Sequence, residues 1–241
     1  IFVFIYKFFL NLALRNIKYE IIFQNKDDFR KFKTIIPITE KVINFIPGSG
    51  VNTSKLLPIK KITNNPNILL PARMLYEKGI NEFVEASRIL KKKNNSYNFY
   101  LAGDFNSINP SAIAKDKIEG WVKEGLVIYL GHQNDMESLY HQMSIVCLPS
   151  WREGFPKVLM EAASLGLPVI TTNVPGCKDA IIENKTGILV PANDAVSLAN
   201  AINMLFENKE MREKMGKEGR ILAINKFDLS IIVPEIIKLY R

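Results

Sequence analysis

Histidine and cysteine are scarce in this chain of 241 residues, which contains two of each. With only His132 and His141 available, the sequence cannot form a histidine-rich metal site. Cys147 lies within an apolar run and Cys177 in a predicted turn, and neither belongs to a recognisable metal-binding motif. We therefore expect two reduced thiols, no disulfide and no bound metal.

Long apolar runs are also missing. Residues 1–10 are apolar apart from Lys7, but about 20 residues are needed to span a bilayer. A signal peptide would carry a basic leader and a small-residue cleavage site, and neither is visible. We interpret this segment as a helix taken from a larger core, and the chain as a fragment. We expect a cytoplasmic location, which includes peripheral association at the inner face of the membrane.

Acidic residues are fewer than basic residues in this chain. The formal net charge is +8, and 47% of the residues are hydrophobic, which allows a substantial core and excludes general disorder. A basic excess favours anionic partners such as phosphorylated substrates. The longest basic run is only residues 91–93, so most lysines are expected on solvated helix faces, and nucleic acid is not an expected partner.

From residue 66 onward, short apolar runs alternate with helical patterns. This alternation is typical of a parallel sheet that is covered by helices on both faces. We therefore predict an α/β fold with about six strands in a doubly wound, Rossmann-like parallel sheet. The predicted strands are residues 68–72, 97–102, 127–130, 145–148, 169–171 and 187–190. The predicted helices include residues 78–92, 110–123, 135–141, 156–165, 196–207, 209–225 and 229–240.

Residues 149–162 carry the strongest functional signal. A predicted strand is followed by a short loop with Glu153, a proline at the predicted helix start, and Glu161 eight residues after the first acid. The first turn of a helix has free N–H groups and a partial positive charge, which suits an anion. Ionised carboxylates accept hydrogen bonds from hydroxyl groups. Together these features predict a pocket for a nucleotide-sugar, with phosphate in the middle and polyols at both ends.

Within this stretch, individual residues have separate expected roles. Pro156 as the first helical residue would leave the N–H groups of Val158 and Leu159 free for the anion. Gly154 would let the backbone approach a ligand closely, beside Phe155. The alternative is an ordinary strand–helix turn, for which a glycine and a proline are unremarkable.

Two basic residues follow the first strand of the predicted sheet. Arg73 comes directly after this strand and Lys78 lies at the predicted start of the next helix. Because the carboxyl ends of parallel strands share one edge, both should lie near residues 150–156, where they would hold a diphosphate. The alternative is a surface salt bridge with Glu77 or Glu82.

Taken together, these residues resemble a known family. The run Glu153-Gly154-Phe155-Pro156-Lys157-Val158-Leu159-Met160-Glu161-Ala162 resembles the paired-glutamate signature (E-x7-E) of retaining family 4 glycosyltransferases with the GT-B fold. The flanking motifs agree, and residues 23–28 and 48–51 resemble the end of that family's first domain. The supporting motifs are Ala72-Arg73, Lys78-Gly79, Leu101-Ala102-Gly103-Asp104, Gly166-Leu167-Pro168-Val169-Ile170 and Thr186-Gly187-Ile188-Leu189-Val190.

The resemblance implies roles for the site residues. In this family two Rossmann-like domains face each other, and the C-terminal domain binds the nucleotide-sugar while the N-terminal domain holds the acceptor. By resemblance, Arg73 and Lys78 hold the diphosphate and stabilise it as it leaves. Glu161 would bind the ribose hydroxyls, and Glu153, with the backbone of residues 154–156, the transferred sugar. The resemblance implies neither a metal nor a cofactor.

The same resemblance predicts the domain organisation. Residues 1–65 would be a remnant of the acceptor-side domain with a linker, 66–227 the nucleotide-sugar-binding domain, and 228–241 a helix that crosses back. The implied reaction is transfer of a sugar, from a UDP-linked donor, to a glycan or polyprenyl-linked acceptor with retention of configuration. Capsule or lipopolysaccharide assembly is the implied setting. Two alternatives stay open: an inactive fragment that only binds nucleotide-sugar, and a nucleotide-sugar 2-epimerase.

Overall fold

The structure is a computed structural model that describes residues 2–14, 18–36, 40–58, 65–93, 96–105 and 108–240. The strands are β1 (Ile21–Phe23), β2 (Ile43–Phe45), β3 (Asn67–Pro71), β4 (Asn98–Ala102), β5 (Ile128–Tyr129), β6 (Ile145–Leu148), β7 (Val169–Thr172) and β8 (Gly187–Val190). The α-helices are α1 (Phe2–Ala13), α2 (Lys26–Ile35), α3 (Ile80–Lys93), α4 (Lys115–Lys123), α5 (Met136–Tyr140), α6 (Lys157–Ser164), α7 (Ala195–Glu207), α8 (Lys209–Leu222) and α9 (Leu229–Lys238).

The larger sheet has six parallel strands in the order β5-β4-β3-β6-β7-β8. The chain starts at the centre with β3, moves outward to β5, and then returns to the other side of β3 with β6. This reversal of strand order confirms the predicted doubly wound fold. In such sheets the ligand crevice lies outside the carboxyl ends of the strands at the reversal, here between β3 and β6.

The central strand explains why the sheet is covered on both faces. Side chains alternate along a strand, and those of Ile68 and Leu70 enter one hydrophobic cluster, which includes residues of α3 and α7. Leu69 points to the opposite cluster, which includes residues of α6. All five residues of β3 are buried, as expected for a parallel strand between two helical layers.

A smaller parallel sheet pairs β1 with β2, with Ile21 opposite Ile43. Helix α2 packs on it through an aromatic cluster, in which the rings of Phe23 and Phe29 lie 5.4 Å apart and those of Phe29 and Phe45 lie 5.5 Å apart. Edge-to-face pairs of this kind are favourable. The cluster places the N-terminal end of α2 against the larger sheet's loops.

Helix α1 is apolar and largely exposed, with exposed fractions of 77% for Phe4 and 61% for both Phe8 and Phe9. No helix among the described residues combines the length and the apolar character that a membrane crossing requires.

Two predicted helix starts are wrong by more than one residue. Gly79 has φ +73°, outside the α-helical region, so α3 begins at Ile80 and Lys78 lies in a preceding 3-10 turn (Tyr76–Lys78). The helix predicted from residue 110 begins at Lys115. Residues 111–113 are not helical because their backbone hydrogen-bonds to residues 74–76, with Ile113 N–H donating to the Met74 carbonyl at 2.9 Å.

The segment that follows Gly50 is joined by hydrogen bonds to the start of α9. Val51 N–H donates to the Phe227 carbonyl at 2.8 Å, and Leu229 N–H donates to the Val51 carbonyl at 3.0 Å. The Asp228 carboxylate accepts from the Thr53 N–H at 3.0 Å and from the Ser230 N–H at 2.8 Å. Hydrogen bonds from Ser230, and then from Thr53, hold the pKa of the Asp228 carboxyl well below its ordinary value.

Replacing Asp228 with asparagine is expected to lower the free energy of unfolding at pH 7, because a charged acceptor is lost. The carboxyl pKa is lower in the folded than in the unfolded state, so its stabilisation is present above the unfolded value of about 3.9 and is lost as pH falls through the folded value. Urea unfolding of both proteins between pH 7 and pH 3 measures this. The difference should shrink towards pH 3, and a constant difference would contradict the assignment.

Candidate nucleotide-sugar site

The loops after β3 and β6 meet at the point where the strand order reverses. The Ser150 hydroxyl donates to the Glu77 carbonyl at 2.8 Å, and Trp151 N–H donates to the same carbonyl at 2.9 Å. Gly79 makes this approach possible, since a Cβ atom there would lie 2.1 Å from the Pro149 carbonyl oxygen. The structure therefore brings together the two stretches that the sequence singled out.

Lys78 and Glu153 form an ion pair at this junction. The Lys78 Nζ atom lies 2.5 Å from Glu153 Oε1, and the two side chains are only 18% and 13% exposed. The alternative pairing of Lys78 with Glu77 or Glu82 is wrong. Glu77 accepts a hydrogen bond from Ser111, and Glu82 accepts one from the Trp151 indole at 3.2 Å. A lysine is thus fixed beside an acid at the ligand edge of the sheet.

Arg73 lies on the same edge and is exposed. Within the described part of the chain its side chain has no hydrogen bond or ion pair, so its guanidinium is available to an anion at the mouth of the crevice. Arginine can donate two parallel hydrogen bonds to oxygens of one phosphate.

The start of α6 differs in detail from the prediction. Pro156 is the N-cap, with φ −75° and ψ 116°, and the helix begins at Lys157. The N–H of Leu159 is not free, because it donates to the Pro156 carbonyl at 3.1 Å. Among the described residues the N–H groups of Lys157 and Val158 have no acceptor. The free amides at this helix start are therefore one residue earlier than the sequence suggested.

Two residues predicted at the site have their side chains in the core. Leu159 is fully buried, and Phe155 is 9% exposed with its ring 5.4 Å from that of Phe227. Only the backbone of Phe155 can face a ligand, which agrees with the role inferred for the backbone of residues 154–156.

The loop around Gly154 is contacted by the segment between β1 and α2. The Asn25 side-chain amide donates to the Gly154 carbonyl at 2.9 Å, while its oxygen accepts from the Asp28 N–H at 2.8 Å and caps α2. The Gln24 side chain occupies the space that a Cβ atom on Gly154 would need, at 2.4 Å. Asn25 is 3% exposed, and no local sequence pattern connects it to residue 154.

Two ion pairs continue this contact. Arg152 Nη2 lies 3.0 Å from Asp28 Oδ1, and Lys178 Nζ lies 2.7 Å from Asp27 Oδ2. The hydrogen bond from Lys178 lowers the pKa of the Asp27 carboxyl. The small sheet is thereby attached to the loop that carries Glu153, although no sequence pattern indicated these partners.

Glu161 lines a cavity whose lining includes neither Lys78 nor Glu153. Its Oε2 atom accepts from the Tyr140 hydroxyl at 3.1 Å, and Lys157 Nζ lies 3.6 Å from Oε1. The cavity beside it has a volume of about 630 Å³ and is also lined by Lys55 and Asn134. This volume lies within the range of small-molecule pockets, about 300–1,000 Å³.

Other candidate residues have structural partners. His132 Nδ1 lies 3.1 Å from Asp104 Oδ2, and both side chains are 61% exposed. Burial raises the pKa of the Cys177 thiol to about 11, so this residue is not a thiolate nucleophile at neutral pH. In the described ranges no group of three or more His, Cys, Asp or Glu side chains is arranged to hold a metal ion.

The architecture matches solved structures of one fold type. Anabaena HepE, determined in complex with UDP, superposes with a TM-score of 0.83 at 19% sequence identity, over 95% of this chain and 65% of that chain. The fold is therefore that of the GT-B glycosyltransferases.

The sequence profile of the family Glycosyl transferases group 1 matches residues 55–221, and the chain belongs to this family. The N,N'-diacetylbacillosaminyl-diphospho-undecaprenol α-1,3-N-acetylgalactosaminyltransferase of Campylobacter jejuni is 31% identical over 235 residues, which are 92% of this chain and 60% of that protein. The capsular polysaccharide biosynthesis glycosyltransferase CapM of Staphylococcus aureus is 31% identical over 182 residues, 76% of this chain and 47% of that protein. The chain thus spans about half to three-fifths of these relatives' length.

Proposed function

We propose that this chain provides the donor half of a retaining glycosyltransferase, which transfers a sugar from a UDP-linked donor to a lipid-linked or glycan acceptor. The observation that carries the proposal is the junction at the strand reversal. There the Lys78–Glu153 pair, the free Arg73 side chain and the unpaired amides of Lys157 and Val158 all lie on the ligand edge of one sheet.

The chemistry of these groups suits a nucleoside diphosphate leaving group. Arg73, Lys78 and the α6 amides supply positive charge and donors where negative charge develops as the glycosidic bond breaks. Glu153 can accept a hydrogen bond from a hydroxyl of the transferred sugar while it keeps Lys78 in place. We propose that substitution occurs on the donor's own face, with the leaving phosphate taking the acceptor proton, which needs no protein nucleophile.

Related proteins support the choice of substrates. HepE was determined with UDP, and the Campylobacter relative is named for an acceptor linked to diphospho-undecaprenol. CapM is named for capsular polysaccharide biosynthesis. We therefore propose UDP as the nucleotide and surface polysaccharide or oligosaccharide assembly as the setting.

Calorimetric titration with UDP, GDP, ADP and dTDP tests the proposal. We expect saturable binding of one nucleoside diphosphate, UDP first, and weaker binding of the corresponding monophosphate. Absence of binding by all four would contradict the nucleotide-sugar site. Transfer from a labelled donor in a membrane extract, followed by NMR of the product's anomeric configuration, then tests activity and retention. Donor binding without transfer would favour the alternative of a binding module.

Replacing Asn25 with alanine tests the contact between the small sheet and the loop that carries Glu153 and Gly154. We expect a loss of about 1 kcal/mol in the free energy of unfolding from the missing helix cap and about fivefold weaker binding of the UDP-sugar, because the Gly154 carbonyl loses its donor.

The matched control for Asn25 is Asn208→Ala. Asn208 caps α8 through a hydrogen bond from Met211 N–H at 2.9 Å and does not contact the site. Its removal should destabilise the fold to a similar degree and leave binding unchanged. Equal effects of both variants on binding would exclude a specific role for Asn25.

A further inference from the structure

Tyr140 is a buried residue with a polar contact to the candidate site. It is the last residue of α5 and is 1% exposed, in the hydrophobic cluster that also contains Leu159 and Met160 of α6. Its hydroxyl donates to Glu161 Oε2 at 3.1 Å. A buried tyrosine needs such a partner, but the partner here is the carboxylate that lines the cavity.

The hydroxyl of Tyr140 stays protonated. Burial, and next the negative charge of Glu161, raise its pKa well above the ordinary value of a tyrosine. It therefore acts only as a donor towards the carboxylate.

The two oxygens of Glu161 have different surroundings. Oε2 is held by Tyr140 from the core side, whereas Oε1 lies 3.6 Å from Lys157 Nζ, whose side chain is 62% exposed. Lys157 lies too far for a hydrogen bond and lines the same cavity as Glu161. Only one of the two contacts can therefore fix the orientation of the carboxylate.

We propose that Tyr140 is a positioning residue, which holds Glu161 through Oε2 so that Oε1 faces the cavity and accepts hydrogen bonds from the ribose hydroxyls of the donor. This inference rests on the proposed nucleotide-sugar site and adds a residue to it. Without the hydroxyl, the carboxylate can turn towards Lys157 and the solvent, and the acceptor for the ribose is no longer preorganised.

The test compares two ligands in one variant. Tyr140→Phe removes a single oxygen and keeps the packed ring, and calorimetry gives the Kd for UDP and for 2',3'-dideoxy-UDP. We expect UDP to bind about tenfold more weakly to the variant, since a charged hydrogen-bond network is lost, and the dideoxy analogue to change less than about twofold. The ratio of the two Kd values, which measures the preference for the ribose hydroxyls, would therefore fall. If Tyr140 served only to stabilise the fold, this ratio would not change.

Tyr97→Phe is the matched control. Tyr97 is 6% exposed and its hydroxyl donates to Asn203 Oδ1 at 2.8 Å, near the amino end of β4 and away from the ligand edge. This variant should lose comparable stability in a thermal melt and keep both Kd values. In a double-mutant cycle, Glu161→Ala should abolish the effect of Tyr140→Phe on UDP binding.

The outcomes separate the two proposals. Wild-type protein that binds no nucleoside diphosphate overturns the proposed function and the role of Tyr140 with it. Wild-type protein that prefers UDP to its dideoxy analogue, with a Tyr140→Phe variant that keeps this preference, overturns the role of Tyr140 alone. If Tyr140→Phe weakens the binding of UDP and of the dideoxy analogue equally, the role of Tyr140 is likewise overturned.

Discussion

Replacing Lys78 with alanine is expected to weaken the binding of UDP about a hundredfold, since a fixed cation at the proposed diphosphate position is lost. The effect should be larger than that of an exposed lysine, because Lys78 is 18% exposed and already oriented by Glu153. The Lys78→Ala variant should also lose about 2 kcal/mol in the free energy of unfolding, because Glu153 is left without its partner.

A double variant separates these two effects. Lys78→Met with Glu153→Gln removes both charges and keeps the volumes, so the free energy of unfolding should return towards the wild-type value. Binding of UDP should remain weak, since no cation is restored. Glu153 is proposed to contact the transferred sugar, which UDP lacks. The Glu153→Gln substitution should therefore not affect UDP binding directly.

Lys185→Ala is the control for lost charge. Lys185 lies 3.2 Å from Glu218 and is 56% exposed, before the amino end of β8 and so at the other edge of the sheet. Its removal should change neither stability nor UDP binding measurably. A Lys78→Ala variant that binds UDP like wild-type protein would show that the diphosphate does not lie at the strand reversal.

Replacing Gly79 with alanine is expected to cost about 3 kcal/mol in the free energy of unfolding, from two separate causes. The residue has φ +73°, which is unfavourable for alanine, and its Cβ would lie 2.1 Å from the Pro149 carbonyl oxygen. The loop after β6 would have to move away from the 3-10 turn that carries Lys78. Affinity for UDP should therefore fall together with stability.

Substitutions at two other glycines separate the cost of the positive φ from the cost of the close Cβ contact. Gly125 has φ +70° but open space around the Cβ position, so Gly125→Ala should cost only the backbone term of about 1 kcal/mol. Gly120 lies inside α4 with neither constraint, so Gly120→Ala should stabilise the protein by about 0.5–1 kcal/mol. Urea unfolding with unchanged m values measures all three. Similar effects of Gly79→Ala and Gly125→Ala would mean that the approach to Pro149 is not close.

The local features of the fold were predictable because they depend on neighbours in the sequence. The alternation of apolar runs and helical patterns predicted the six strands, and Gly48 and Gly50 adopt positive φ values, which glycine takes without strain. Asp194 caps α7 by accepting from the Ser197 N–H at 2.8 Å. Short-range sterics and capping fix all of these.

The partners at the candidate site were decided by the tertiary structure. Residues 111–113 are not helical, although a helix was predicted there, because their backbone hydrogen-bonds to residues 74–76. The sequence indicated Lys78 and Glu153 separately, but the salt bridge joins positions 75 residues apart and depends on β3 lying beside β6.

The sequence by itself determined the fold class and the family, because periodicity and motif spacing are properties of the chain itself. It could not indicate that Asn25 bonds to Gly154, 129 residues away, or that Tyr140 holds Glu161. Those contacts follow from strand order and from the packing of α5 and α2 against the loops. Which distant residue a side chain contacts depends on the tertiary structure, because only folding brings the helices and strands that carry the two residues together.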